Sequence, residues 1–291
     1  MKTFSSITVL LLFSVLTVGA ADSMNISHEL DVNYGYVGGA GTRGGGLKVG
    51  DVDEHSADVK YVLSPQVTNN LLLRFGAEWQ RFDFGVPHRA PMPDVLQQAS
   101  VVLGFDYQLA DQWLVRLEVQ PGIYSDFHDV SWKDVDAPLV LGAVYLANAD
   151  LQWIFGLRMD LRSQYPVLPA VGVRWKYADE WTLNFILPNP RLEYELNEKL
   201  LLYFGATLEA GTFRVGDDFG SEHGLPVLDG EMVDFLEIRI GPGCSWKLAP
   251  NLTLEAEAGL MPYRALDFFN ADIVFRSHNA PYGQLAIHAK F

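Results

Sequence analysis

Hydrophobic and polar residues alternate with period two along most of this chain, and the 3.6-residue period of an amphipathic helix is almost nowhere present. From Leu71 to Trp79, the residues Leu71, Leu73, Phe75, Ala77 and Trp79 share one face against Arg74, Gly76 and Glu78. Trp113, Val115, Leu117 and Val119 oppose Arg116 and Glu118, and Leu151 through Leu161 opposes Gln152, Arg158, Asp160 and Arg162 in the same way. The pattern returns from Leu200 to Leu208 and from Leu252 to Leu260. Successive side chains of a strand point to opposite faces, so each stretch predicts a strand with one apolar and one mixed-charge face.

The connections divide into two kinds. Short polar turns fall at 64–70, 109–112, 148–150, 178–180, 197–199 and 248–251; longer segments fall at 37–56, 85–98, 124–137, 212–231 and 261–279. A side of short turns and a side of long loops is the layout of an up-and-down meander in an outer membrane. The fold class expected is all-β: a transmembrane up-and-down antiparallel β-barrel of about 14 strands, with 12 as the fallback. Lipid offers no hydrogen bonds, so a spanning sheet must close on itself. The first strand, "ELDVNYGYVG" (29–38), could then pair with the last. The most apolar stretch, Pro138 to Leu157, carries Asn148, Asp150 and Gln152 at its centre and reads as two strands and a turn.

Two repeats sharpen the picture. Trp113, Trp153 and Trp181 each follow a short turn on the apolar face, where amphipathic rings would mark a membrane–water boundary. Gly76, Gly104, Gly156, Gly172, Gly205 and Gly259 recur on the polar face, which points to curvature or close cover there. At the N-terminus, Met1 and Lys2 precede an apolar run from Ile7 to Val18 and the small residues "VGAAD". That is a signal peptide over 1–21, leaving 22–291 as the barrel.

Composition narrows the functional classes. A net charge of −15 argues against nucleic acid and against docking on anionic lipid through basic patches. The sole cysteine, Cys244, permits no internal disulfide.

The chain ends on "GQLAIHAKF", in which Leu285, Ile287, Ala289 and Phe291 share one face. A terminal strand closing on an aromatic resembles the C-terminal signal of bacterial outer-membrane β-barrels. The resemblance implies that the barrel-assembly machinery reads this strand, with outer-membrane lipid as the other partner. The stretch "LPNPRLEYELNEKLLLYFGATLEAGTFRV" (187–215) also resembles a family of outer-membrane β-barrels of unknown function.

Such a barrel would direct Arg74, Glu78, Arg116, Glu118, Arg158, Asp160, Arg174, Glu209, Arg239, Glu255 and Glu257 to its interior as pore-lining candidates. At about 14 strands a lumen is too wide for side chains to fill, so a water-filled interior is expected. Both signs of charge occur, so no ionic preference follows. Two acidic loops, 124–136 with His128 and 216–231 with His223, are oxygen-rich but lack the spacing of a calcium loop, and no metal or cofactor is expected. "GGAGTRGGG" (38–46) follows a strand but opens no helix, and reads as a flexible loop.

The expected role is a porin-like passive channel for small solutes or a structural envelope protein, not an enzyme. The alternatives are a lipid-modifying barrel enzyme of the phospholipase or lipid A deacylase type, or a soluble secreted β-sandwich. An enzyme would draw on His88, His128, His223 or His278 with Ser125, Ser221 or Ser277. "RSHN" (276–279) is the densest such cluster, although neighbours on a strand point to opposite faces.

Overall fold

The computed structural model describes residues 26–87 and 90–291; the expected signal segment 1–21 and His88 lie outside the described residues. The strands are β1 (Ile26–Gly44), β2 (Leu47–Thr68), β3 (Leu71–Phe84), β4 (Val95–Ala110), β5 (Trp113–Val119) and β6 (Gly122–Ser125). They continue with β7 (Val135–Asp136), β8 (Leu139–Leu146), β9 (Leu151–Met159), β10 (Val167–Lys176), β11 (Trp181–Phe185) and β12 (Arg191–Asn197). The last are β13 (Leu200–Arg214), β14 (Met232–Ala249), β15 (Leu252–Phe268), β16 (Ile273–Ser277) and β17 (Ala280–Lys290).

Fourteen of these form one closed antiparallel barrel, with β6, β7 and β16 outside it. The ring closes where β1 meets β17, with Leu30 opposite Ala289 and Tyr34 opposite Leu285. Closure removes strand edges along most of the wall and satisfies the backbone there within lipid. A two-sheet sandwich does not form.

The outward faces carry the expected apolar belt. Trp113 packs on Tyr145 and Trp181 on Tyr194, both with ring centroids 4.9 Å apart, at the short-turn end of the wall. Of the recurring inward glycines, all but Gly156 sit where neighbouring strands crowd: a Cβ on Gly76 would lie 2.2 Å from the Tyr61 carbonyl oxygen, and one on Gly104 2.3 Å from that of Leu117.

Above this belt the barrel narrows to a second tier. β4 pairs with β6, which touches β13 through Ser125 and Arg214; β15 pairs with β16, which reaches β1 at Thr42 and Ser277. The strands β1 to β4, β6 and β13 to β16 thus close a smaller ring, leaving out β5 and β8 to β12. It is packed with side chains. Phe82, Phe213, Phe235, Phe268, Phe275, Met92 and Leu228 are all sealed from water, and the rings of Phe82 and Phe235 lie 4.5 Å apart.

Three expectations change here. Segments 37–56 and 261–279, read as long loops, are largely strand, with β1 running to Gly44, β2 starting at Leu47 and β15 running to Phe268, whereas 212–231 is a connection beyond the end of β13 at Arg214. The "GGAGTRGGG" stretch, read as a flexible loop, is mostly the upper end of β1, paired with β2 and β16. The interior, expected to be water-filled, is solid in the upper tier. One physical cause underlies all three. At the membrane boundary the apolar face changes sides, because above lipid the outside is water and the inside is core. In β3, Leu71 to Trp79 face lipid, but higher up Phe82 and Phe84 face inward and the outward Arg81 and Asp83 pair at 2.6 Å.

Candidate functional site: the barrel interior

All eleven interior candidates sit on inward faces, and most are tied to an opposite charge. On β3 to β5, Arg74 reaches Glu118 at 3.3 Å and Glu29 at 3.2 Å, while Lys60 bridges Glu78 and Glu118 at 2.9 Å each. Arg116 binds Asp106 at 2.6 Å. Farther round, Arg158 meets Asp160 at 3.2 Å, Arg174 meets Glu193 at 3.4 Å and Arg191 meets Glu255 at 3.3 Å. Glu209 accepts from Gln80 at 3.5 Å, and Glu257 accepts from the Tyr282 hydroxyl.

Higher up, a buried quartet underlies the apolar core. Arg239 binds Glu54 at 2.9 Å and Glu237 at 2.6 Å, while Arg264 binds Glu54 at 2.7 Å and Glu237 at 2.5 Å. Glu54 and Arg264 escaped the sequence reading because they fall in segments taken as loops. A register shift between β14 and β15, which no local sequence pattern announces, reverses the phase and turns Arg264 inward with Leu266 and Phe268.

Below the quartet the interior is open. A cavity of about 180 Å³ lies between β1, β13, β15 and β17, reached by Asn189 from the short 187–190 connection. Its lining is mainly acidic, with Asp31, Asp58, Glu209, Glu255 and Glu257 against Arg191 and His288. The opposite wall, on β8 to β10, is built from small or apolar inward residues: Gly142, Val144, Ile154, Gly156, Ala170 and Gly172. Here three arginine side chains stay substantially accessible, Arg116 at 45%, Arg158 at 35% and Arg174 at 42%.

The two acidic loops meet outside the upper tier, around a cleft of about 360 Å³ that includes Asp126, His128, Asp218, Glu222 and His223. Their carboxylates are largely committed within the fold. Asp126 accepts from the backbone of Gly216 at 2.8 Å and of His128 at 3.0 Å. Asp134 binds Arg214 at 3.1 Å, and Asp229 accepts from the amide of Ser221 at 2.7 Å. Burial raises the Asp126 carboxyl above the usual range, whereas Lys133 and Arg214 hold Asp217 below it.

The serine and histidine candidates are not assembled. Ser277 faces inward and bonds Thr42 at 2.6 Å, whereas His278 bonds the Pro262 carbonyl at 3.2 Å. Ser221 bonds Asp229, and the His223 ring engages the Phe219 carbonyl.

A family model described as a domain of unknown function (DUF6268) matches residues 67–286. No curated protein matches the chain. Among solved structures, a COG4313 outer membrane channel from Pseudomonas putida F1 is 9% identical, with a TM-score of 0.50 over 94% of this chain and 100% of that one. A NanC porin is 14% identical with a TM-score of 0.41, covering 90% of this chain and 100% of that one. A FadL homologue from Pseudomonas aeruginosa is 11% identical with a TM-score of 0.38, covering 91% and 90%. At such identities the likeness concerns the fold alone, that of an outer-membrane β-barrel, and only the first score is high enough to weigh.

Proposed function

The chain belongs to the DUF6268 family, and we propose that it resides in the outer membrane and passes small polar solutes through the lower tier of its barrel. One observation carries this reading: below the buried quartet the interior holds a cavity of about 180 Å³, where a merely structural barrel could have been filled by salt bridges. Fold-level likeness to an outer membrane channel agrees with it, as analogy. The upper tier sets a condition. With the apolar core in place the axial route outward is shut, so axial flow needs the 85–94 and 215–231 connections to withdraw Met92, Phe219 and Leu228.

The upper seal also favours a second reading, a closed structural barrel of the envelope. Planar-bilayer recording on the refolded full-length chain separates the two. Rare conductance steps that become frequent when the 215–231 connection is shortened support passage; silence in both proteins leaves the structural reading. The lipid-modifying alternative has no assembled serine–histidine pair among the described residues to support it.

A further inference from the structure

Strand lengths around the wall are unequal. β10 pairs with β11 only from Val173 to Lys176, so Val167 to Val171 have no partner on that side. β13 pairs with β12 up to Gly205, and the backbone of Pro188 and Pro190 extends this only to Leu208. From Glu209 to Phe213, β13 likewise has no strand on that side. Because β11 and β12 stop short, two free strand edges face each other across a gap.

The lower part of the gap lies within the apolar belt, and its upper end at Phe213 reaches the second tier. Leu208 and Ala210 sit opposite Ile238 and Leu236 on the lipid-facing side, and Val171 sits opposite Phe155. Open strand edges at this depth leave backbone groups unpaired, which hydrocarbon does not tolerate unless they line a wetted cavity or are covered. Pro169 in the free half of β10 fits such a position, since proline is confined to edge strands. The 187–190 connection forms the sill, and its Asn189 also lines the lower cavity. The 160–166 connection forms the lintel, where Ser163 and Gln164 bind Asp234 at 2.9 Å while Leu161 and Tyr165 stand exposed.

The frame is therefore apolar outside, and inside it presents an accessible arginine, Arg158, paired with the buried Asp160 at 3.2 Å. Just behind it, Arg158 reaches across to the Ala210 carbonyl at a long 3.4 Å, with Leu168 beside it half exposed. A guanidinium has five donors, and these contacts leave some of Arg158's free. We propose that the gap between β10 and β13 is a lateral portal admitting small amphipathic carboxylates from the outer leaflet to the lower cavity, the apolar part crossing the frame and the carboxylate meeting Arg158. The proposal rests on the passage reading and adds to it a route and a substrate class.

The test uses the full-length chain in liposomes with a diazirine-bearing decanoic acid, its sites of attachment mapped by mass spectrometry. Labelling should concentrate at 167–171 and 208–212, be displaced by octanoate but not octanol, fall several-fold in Arg158→Gln and recover in Arg158→Lys. Ala170→Phe, which adds bulk on the inward side of the free edge, should also lower it. Heat-modifiable gel mobility verifies that each variant is folded. Labelling spread evenly over Phe155, Phe204 and Ile240 overturns the portal. Swelling in a neutral sugar reports passage separately. Swelling with even labelling overturns the portal alone, whereas localised labelling without swelling upholds the portal and overturns passage.

Discussion

Arg239 and Glu54 are 185 positions apart in the sequence and meet at 2.9 Å with both side chains sealed from water. With Glu237 and Arg264 they form a neutral set of two cations and two anions, between the apolar core above and the open cavity below. Removing one member strands a buried charge. Arg239→Met should therefore cost about 3–5 kcal/mol, seen as a lower temperature for conversion of the compact gel band to the unfolded one. Replacing all four by apolar residues of similar volume should recover most of that loss. If the single variant melts like the native barrel, the quartet does not brace the two tiers.

The last residue closes the ring at the short-turn end. Phe291 gives its amide to the His28 carbonyl at 3.0 Å and accepts the His28 amide at 2.6 Å, with the two rings 5.6 Å apart. Deleting Phe291 should slow assembly, leaving more unfolded, protease-sensitive protein in membrane fractions. Assembly at the native rate would sink the role given to this terminal strand.

Two inward glycines should respond oppositely to the same substitution. A Cβ on Gly76 meets a backbone oxygen at 2.2 Å, and neither strand can yield without disturbing the barrel's curvature. A Cβ on Gly156 meets the Ala170 side chain at 3.6 Å and its carbonyl oxygen at 3.9 Å, both ordinary contacts. Gly76→Ala should cost about 1–3 kcal/mol by overpacking. Gly156→Ala should be neutral or slightly stabilising, since alanine removes unfolded-state freedom. Thermal gel-shift curves of the two variants check the contrast.

The outer loops should loosen as pH rises. Burial raises the Asp126 carboxyl, so the folded state holds this proton more tightly than the unfolded chain does. Its contribution is fully present below the ordinary aspartate value, about 3.9, and is lost as pH climbs through the raised one. Cleavage within 124–137 by an acid-tolerant protease, corrected for the enzyme's own pH profile, should speed up across that window. Asp126→Asn should flatten the dependence; an unchanged slope would move its origin elsewhere.

Much of the membrane part was legible from local chemistry. Leu71 to Trp79, Trp113 to Val119 and Leu252 to Leu260 each show which face meets lipid, because the solvent on that side is uniform along the strand. Trp113, Trp153 and Trp181 mark the lower boundary for the same reason. The upper tier was not legible, because its strands keep alternating while the meaning of the apolar face reverses. Phe82 and Phe84 are out of phase with Trp79, so a reader following one face sees the strand stop.

By itself, then, the sequence determined period, belt and closure, since each follows from side-chain alternation in a solvent that cannot hydrogen-bond, and it narrowed the strand number to 14 or 12. Only the tertiary structure decided that Glu54 finds Arg239, that β6 and β16 draw a narrower ring above the belt, and that β10 and β13 are left with facing free edges. Those depend on register, on one β-bulge and on unequal strand lengths, which bring together residues distant in the chain and which no local pattern encodes.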